Sequence, residues 1–111
     1  YDFAQETNSE MVNFYSAMAY PGSPLFLEAR KNGIELPSTY SGYSQHSYDT
    51  LNLSTKKLSA SQILKFRDEA WMKYHTNEKY LNLIIEKFGQ KAVDNIKSTT
   101  KIKLKRKLLG D

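Results

Sequence analysis

Cysteine is missing altogether from these 111 residues. That excludes disulfides, cysteine-ligated zinc and any iron–sulfur cluster held within the chain. Proline is scarce, with three residues, and glycine numbers five, so hard turns fall at few places and each one is informative. No apolar run approaches the roughly 18 residues of a membrane span. The chain opens at Tyr1 in mid-pattern, without Met and without a signal-peptide pattern, and is expected to be a piece of a longer protein. Nor is there a GxSxG, P-loop or GxGxxG string. Asp68 and Glu69 are adjacent on a predicted helix and point in different directions, so no carboxylate pair stands out. A self-contained catalytic site is not expected.

What is present suits one modest domain. Hydrophobic residues make up 40%, and eight Tyr, five Phe and one Trp supply much of the candidate core. The formal net charge is +4, which permits an anionic partner without implying one.

Residues 1–20 carry two patterns. Met11, Val12, Phe14, Tyr15 and Met18 fit a helical stripe, and Thr7 with Glu10 resembles a capping box. Val12-Asn13-Phe14-Tyr15 reads equally well as a buried strand. A strand there has no convincing partner in the chain, and unpaired backbone groups are costly when buried. Tyr20 precedes Pro21, which resists helical geometry and stops either element. Ser23-Pro24 is a helix start, Ser as cap and Pro at the first position, and Gly33 ends that helix.

Residues 34–58 form a long irregular segment with one candidate strand near Tyr48–Leu53. Such segments are usually functional or disordered. Ser59 and Gln62 make a capping box for a helix striped by Ile63, Phe66, Ala70 and Tyr74. The next helix starts near Thr76 or Asn77 and stops at Gly89. A last one repeats Val93, Ile96, Thr100, Leu104 and Leu108. The predicted helices are 24–32, 60–75, 77–88 and 90–108. Phe66, Trp71, Ile84, Phe88 and Ile96 are the expected core, with Trp71→Ala costing about 3–5 kcal/mol if that side chain is fully buried. The fold class is therefore mainly α: three C-terminal helices plus one after Pro24, with a long irregular loop 34–58.

Two constellations can carry chemistry. Lys97, Lys101 and Lys105 stack at four-residue spacing on the last predicted helix, with Lys103, Arg106 and Lys107 beside them. That is either a phosphate-contacting surface or a solvated or protein-docking face. Gly42-Tyr43-Ser44-Gln45-His46-Ser47-Tyr48 concentrates hydrogen-bonding side chains. His46 can act as acid, base or ligand, but lacks a second ligand at metal-site spacing.

Three further strings complete the picture: Asn13-Phe14-Tyr15-Ser16-Ala17-Met18-Ala19-Tyr20-Pro21-Gly22-Ser23-Pro24-Leu25, Lys65-Phe66-Arg67-Asp68-Glu69-Ala70, and Thr100-Lys101-Ile102-Lys103-Leu104-Lys105-Arg106-Lys107-Leu108-Leu109. With the Gly42–Tyr48 string, in this order, they resemble the C-terminal part of the cobalamin-binding-type radical S-adenosylmethionine proteins. That group includes the anaerobic magnesium-protoporphyrin monomethyl ester cyclases and related Fe–S oxidoreductases and methyltransferases.

The resemblance implies a placement. Residues 1–33 are the end of a radical barrel: a helix tail at Tyr1–Asn8, the last strand at 11–20 and the following helix. Residues 34–111 are a C-terminal helical extension. Met18, Ala19 and Tyr20 become candidate contacts for S-adenosylmethionine in the parent, and Tyr43, Gln45 and His46 candidates for the substrate site. The parent is implied to be cytoplasmic and to use an iron–sulfur cluster, S-adenosylmethionine and, in cobalamin-binding members, cobalamin. None of these is expected on this chain, which lacks the CxxxCxxC motif, the cobalamin domain and most of the barrel. The expected partner is the rest of the barrel in cis. Two alternatives stand beside it: a basic helical module that binds nucleic acid or a protein through 97–107, and self-association of severed apolar surface. Away from a sheet, residues 9–20 are expected to be helical, disordered or paired with another copy.

Overall fold

Local capping sets most helix boundaries of this chain. A computed structural model describes all residues, 1–111, as five α-helices and no strand. They are α1 (Asp2–Thr7), α2 (Pro24–Lys31), α3 (Ala60–His75), α4 (Glu78–Phe88) and α5 (Gln90–Thr99), with short 3-10 turns at Tyr40–Tyr43 and Lys107–Leu109. The mainly α class therefore stands.

Ser23 Oγ accepts the Phe26 N–H at 3.1 Å, with Pro24 at the first helical position. At the other end of α2, Gly33 takes φ +65°. Its N–H reaches the Arg30 carbonyl, and that of Ile34 reaches Ala29, the paired bonds of a left-handed helix stop. The Ser59–Gln62 box is reciprocal: the Gln62 N–H donates to Ser59 Oγ and the Ser59 N–H to Gln62 Oε1. Asn77 caps α4 through the Lys79 N–H, and Gly89, at φ +78°, separates α4 from α5.

The chain divides into two compact units, each discontinuous in sequence. The first comprises Tyr1–Phe14 and Arg67–Lys103. Its core is Tyr74, Tyr80, Ile84 and Val93, with Tyr1, Ala4, Val12, Phe14, Leu81, Ala92 and Ile96 packed against it. The α4 face is amphipathic, as its apolar spacing demands. Tyr74 donates to the Ser9 carbonyl at 2.7 Å and Tyr80 to the Glu10 carbonyl at 3.1 Å, so the phenols of the core fix the chain that leaves α1. Lys87 pairs with Glu10, and that hydrogen bond, ahead of the charge itself, holds the Glu10 carboxyl below its ordinary pKa.

The second unit comprises Tyr15–Phe66 and Leu104–Asp111. Its interior is unusually polar. Beside Met18, Ala19, Ala29 and Leu64 it buries Ser16, Gln45, Thr50, Asn52 and Arg106.

Several expectations need correction. Residues 11–20 are neither helix nor ladder strand; residue 11 lies in a bend and residues 12–20 take no regular structure. From Val12 to Met18 burial alternates, the even-numbered residues turned in and Asn13, Tyr15 and Ala17 out, which is the pleat period. Side chains supply what a partner strand would. Arg67 Nε donates to the Phe14 carbonyl at 2.8 Å, and the Gln45 amide both accepts from Ser16 N–H at 3.1 Å and donates to Ser16 O at 2.9 Å. The Thr7–Glu10 box does not form: Thr7 lies inside α1, its hydroxyl bonds back to Ala4 O, and Asn8 closes the helix at φ +47°. Tyr48–Leu53 forms no strand, because Tyr48 and Asp49 turn.

The last helix ends at Thr99, nine residues short of the predicted 108. Thr99 and Thr100 hydroxyls bond back to the carbonyls of Asn95 and Lys97, an alternative to continuing the helix. The 97–107 cations therefore do not share one helical face. Arg106, read as surface, is fully buried. Of the expected core only Ile84 is buried. Trp71 and Ile96 are half-buried, and Phe66 and Phe88 are 61% and 60% exposed, so the cost attached to full burial of Trp71 does not apply.

Candidate functional site

The Gly42–Tyr48 string forms a built loop within the second unit. Gly42 is needed for a close approach: a Cβ there would lie 2.5 Å from Pro37 Cβ. Its carbonyl takes the Leu51 N–H at 2.9 Å, which closes the loop at its base. Asp49 stitches the start of the loop through its carboxylate, which accepts from Ser41 Oγ at 2.5 Å and Thr39 Oγ1 at 3.1 Å. The Ser41 bond is the main reason its pKa sits below the ordinary value.

The six candidates fall into two groups. Met18 and Ala19 are buried, and Tyr20 is half-exposed, its ring 6.1 Å from that of Tyr43. The second unit therefore brings Tyr20 and Tyr43 together. The Tyr20 carbonyl is occupied by the Ser23 hydroxyl and N–H. Gln45 is buried, and its side chain is committed to the Ser16 peptide, which leaves it a holding part rather than a free contact. His46, next in sequence, stands exposed, its N–H on Ser44 Oγ.

Two features were not foreseen from the sequence. Arg106 Nη1 donates to the Ser47 carbonyl and Nη2 to the Gln45 carbonyl, both at 2.9 Å; a basic run gives no hint that one member turns inward. In the first unit, His75 rather than His46 is the enclosed imidazole. Its ring stacks on Trp71 at 4.3 Å and meets Tyr74 and Tyr80 edge-on at 5.4 and 5.2 Å. Nδ1 lies 2.8 Å from the Trp71 carbonyl. Burial lowers its pKa, against a smaller opposing pull from that carbonyl. The i, i+4 spacing of Trp71 and His75 was the available clue.

One open cleft of about 360 Å³ lies in the first unit, lined by residues that include Asp2, Glu6, Asn8, Tyr74 and Lys79. No three His, Cys, Asp or Glu side chains gather as a metal site requires. With no Cys in the chain, the residues do not fit an iron–sulfur cluster. No helix is long and apolar enough to cross a membrane.

Comparison with protein-family models, with curated proteins and with solved structures finds no match.

Proposed function

We propose that this chain is a non-catalytic C-terminal segment of a radical S-adenosylmethionine Fe–S enzyme. In that reading residues 11–20 complete the barrel, and the 34–58 loop covers its mouth and helps to shape the substrate site. The observation that carries the proposal is the Val12–Met18 run, whose side chains alternate between buried and exposed, stopped soon after by Pro21-Gly22 and followed at once by the capped helix α2. That is a strand-like burial period, then a turn and a helix, in a chain without a sheet. Gln45 and Arg67 hold peptide groups that a neighbouring strand would otherwise hold. The parent would supply the cluster, S-adenosylmethionine and, if it is a cobalamin-binding member, cobalamin.

The test has two arms. The gene sequence upstream of the Tyr1 codon should encode a CxxxCxxC motif; a parent without one would discredit the parentage. Within a parent that has it, Tyr43→Phe and His46→Ala should each impair turnover while the protein stays folded. Unchanged turnover in both variants would remove the loop from the substrate site.

A further inference from the structure

We propose that Arg106 is a latch, a positioning residue whose buried guanidinium fixes the Gln45–Tyr48 turn and thereby the presentation of His46. All of its parts lie in the second unit. A guanidinium at zero exposure is a costly way to fill space, since an apolar side chain of like volume needs no desolvation. What Arg offers instead is a rigid fork with two directed donors. Here the two prongs take the carbonyls of Gln45 and Ser47, the residues on either side of His46. The exposed imidazole thus stands on a peptide pinned before and behind.

The grip continues from both directions. The Gln45 side chain is bound to the Ser16 peptide, so that residue is held by its main chain and by its amide. On the tail, the Arg106 N–H donates to the Asp111 carboxylate at 3.0 Å and the Asp111 N–H to the Arg106 carbonyl at 3.2 Å. The Lys107 N–H reaches the Tyr48 carbonyl at 2.8 Å, and the Tyr48 hydroxyl the Asp111 carbonyl at 3.1 Å. A tail closed on itself around Arg106 and bonded to the turn presents the fork in one orientation. Release of this tail frees the turn. The latch stands whatever the parentage of the chain; its effect on turnover rests on the function proposed above.

Amide hydrogen exchange on the 111-residue chain reads the latch directly. Arg106→Met keeps the buried volume and removes the donors. Exchange at Ser16 and Lys107 should accelerate about tenfold or more, while Ile84 and its neighbours in α4 keep their protection, because local opening is separable from global unfolding. Arg106→Lys, which restores the charge without the fork, should not rescue it. Unchanged exchange at Ser16 and Lys107 in Arg106→Met, as a mere filler predicts, would overturn the latch, and so would full rescue by Lys. If Arg106→Met fails to fold, Asp111→Ala decides. It should accelerate Lys107 exchange in a folded chain, and an unchanged rate there overturns the proposal. In the parent, a freed turn with unaltered turnover would leave the latch standing and remove the loop from the substrate site.

Discussion

At the scale of single residues, two positions carry sharp consequences. Gly42→Ala drives a methyl against the rigid Pro37 ring, and overpacking of this kind costs about 1–3 kcal/mol. A urea midpoint that did not move would show that the 37–42 chain can yield. His75 gives the second. The fold resists protonating it, whereas the unfolded chain takes that proton near pH 6.5. Above that pH both states are neutral at this group and it contributes no slope. Below it the unfolded state binds the proton first, so stability falls as pH falls until the folded-state pKa is passed. Denaturation midpoints between about pH 7.5 and 5 should decline, and His75→Phe should flatten that decline. An equally steep profile in the variant would place the titration elsewhere. Neither Arg106 nor His75 could be assigned from residue type. A buried cation and an exposed one look alike in a sequence, and their difference arises only when distant carbonyls such as those of Gln45 and Ser47 are brought to the guanidinium.

At the scale of elements, the parts legible in the sequence are those decided within a few residues. Ser23-Pro24, Gly33, the Ser59–Gln62 box, Asn77 and Gly89 act locally: helices α2 to α4 begin where these signals lie, and α2 and α4 end at the two glycines. Ser59→Ala removes one half of a reciprocal cap and should cost about 1 kcal/mol; an unchanged thermal midpoint would mean that α3 is anchored without it. The end of α5 was not legible, because Leu104 and Leu108 continue the apolar spacing while residues 102–106 take no regular structure. Spacing records which residues are apolar and is silent on whether a tail is drawn elsewhere. The same limit explains Phe66 and Phe88, which match the stripes of α3 and α4 yet lie on exposed faces. The conformation of 11–20 was undecidable for a related reason: its partners are side chains from residues 45 and 67 and one backbone N–H from Leu53, which no ladder rule anticipates. Removing residues 1–8 deletes α1 and takes Tyr1 and Ala4 from the Tyr74–Val93 cluster. The truncated chain should unfold at lower urea, and an unaltered midpoint would make α1 dispensable.

For the whole molecule, the basic run at 97–107 is not one helical stripe. The cations of 97–107 are split between a helix that stops at Thr99, a stretch without regular structure and a buried Arg106. A surface that binds nucleic acid needs several phosphate contacts acting together, and the affinity then falls steeply with salt. A fluorescence-anisotropy titration against duplex DNA at low salt is expected to show no binding; a salt-steep isotherm would restore the nucleic-acid alternative. Both units are assembled from two separate stretches of chain, so neither can be excised as one contiguous piece, and helix swaps or internal deletions should be planned accordingly.

The Gln45 clasp on Ser16 has a consequence for register. In a ladder the same bonds recur every second residue, so a two-residue slip costs only the ends. Along Phe14–Ala17 the partners do not recur. Arg67 selects the Phe14 carbonyl, one amide selects both groups of Ser16, and the Leu53 N–H selects Ala17. A shift by two would forfeit all of them together. A segment keyed this way behaves like a notched bolt rather than a zipper: it seats in one place or does not seat.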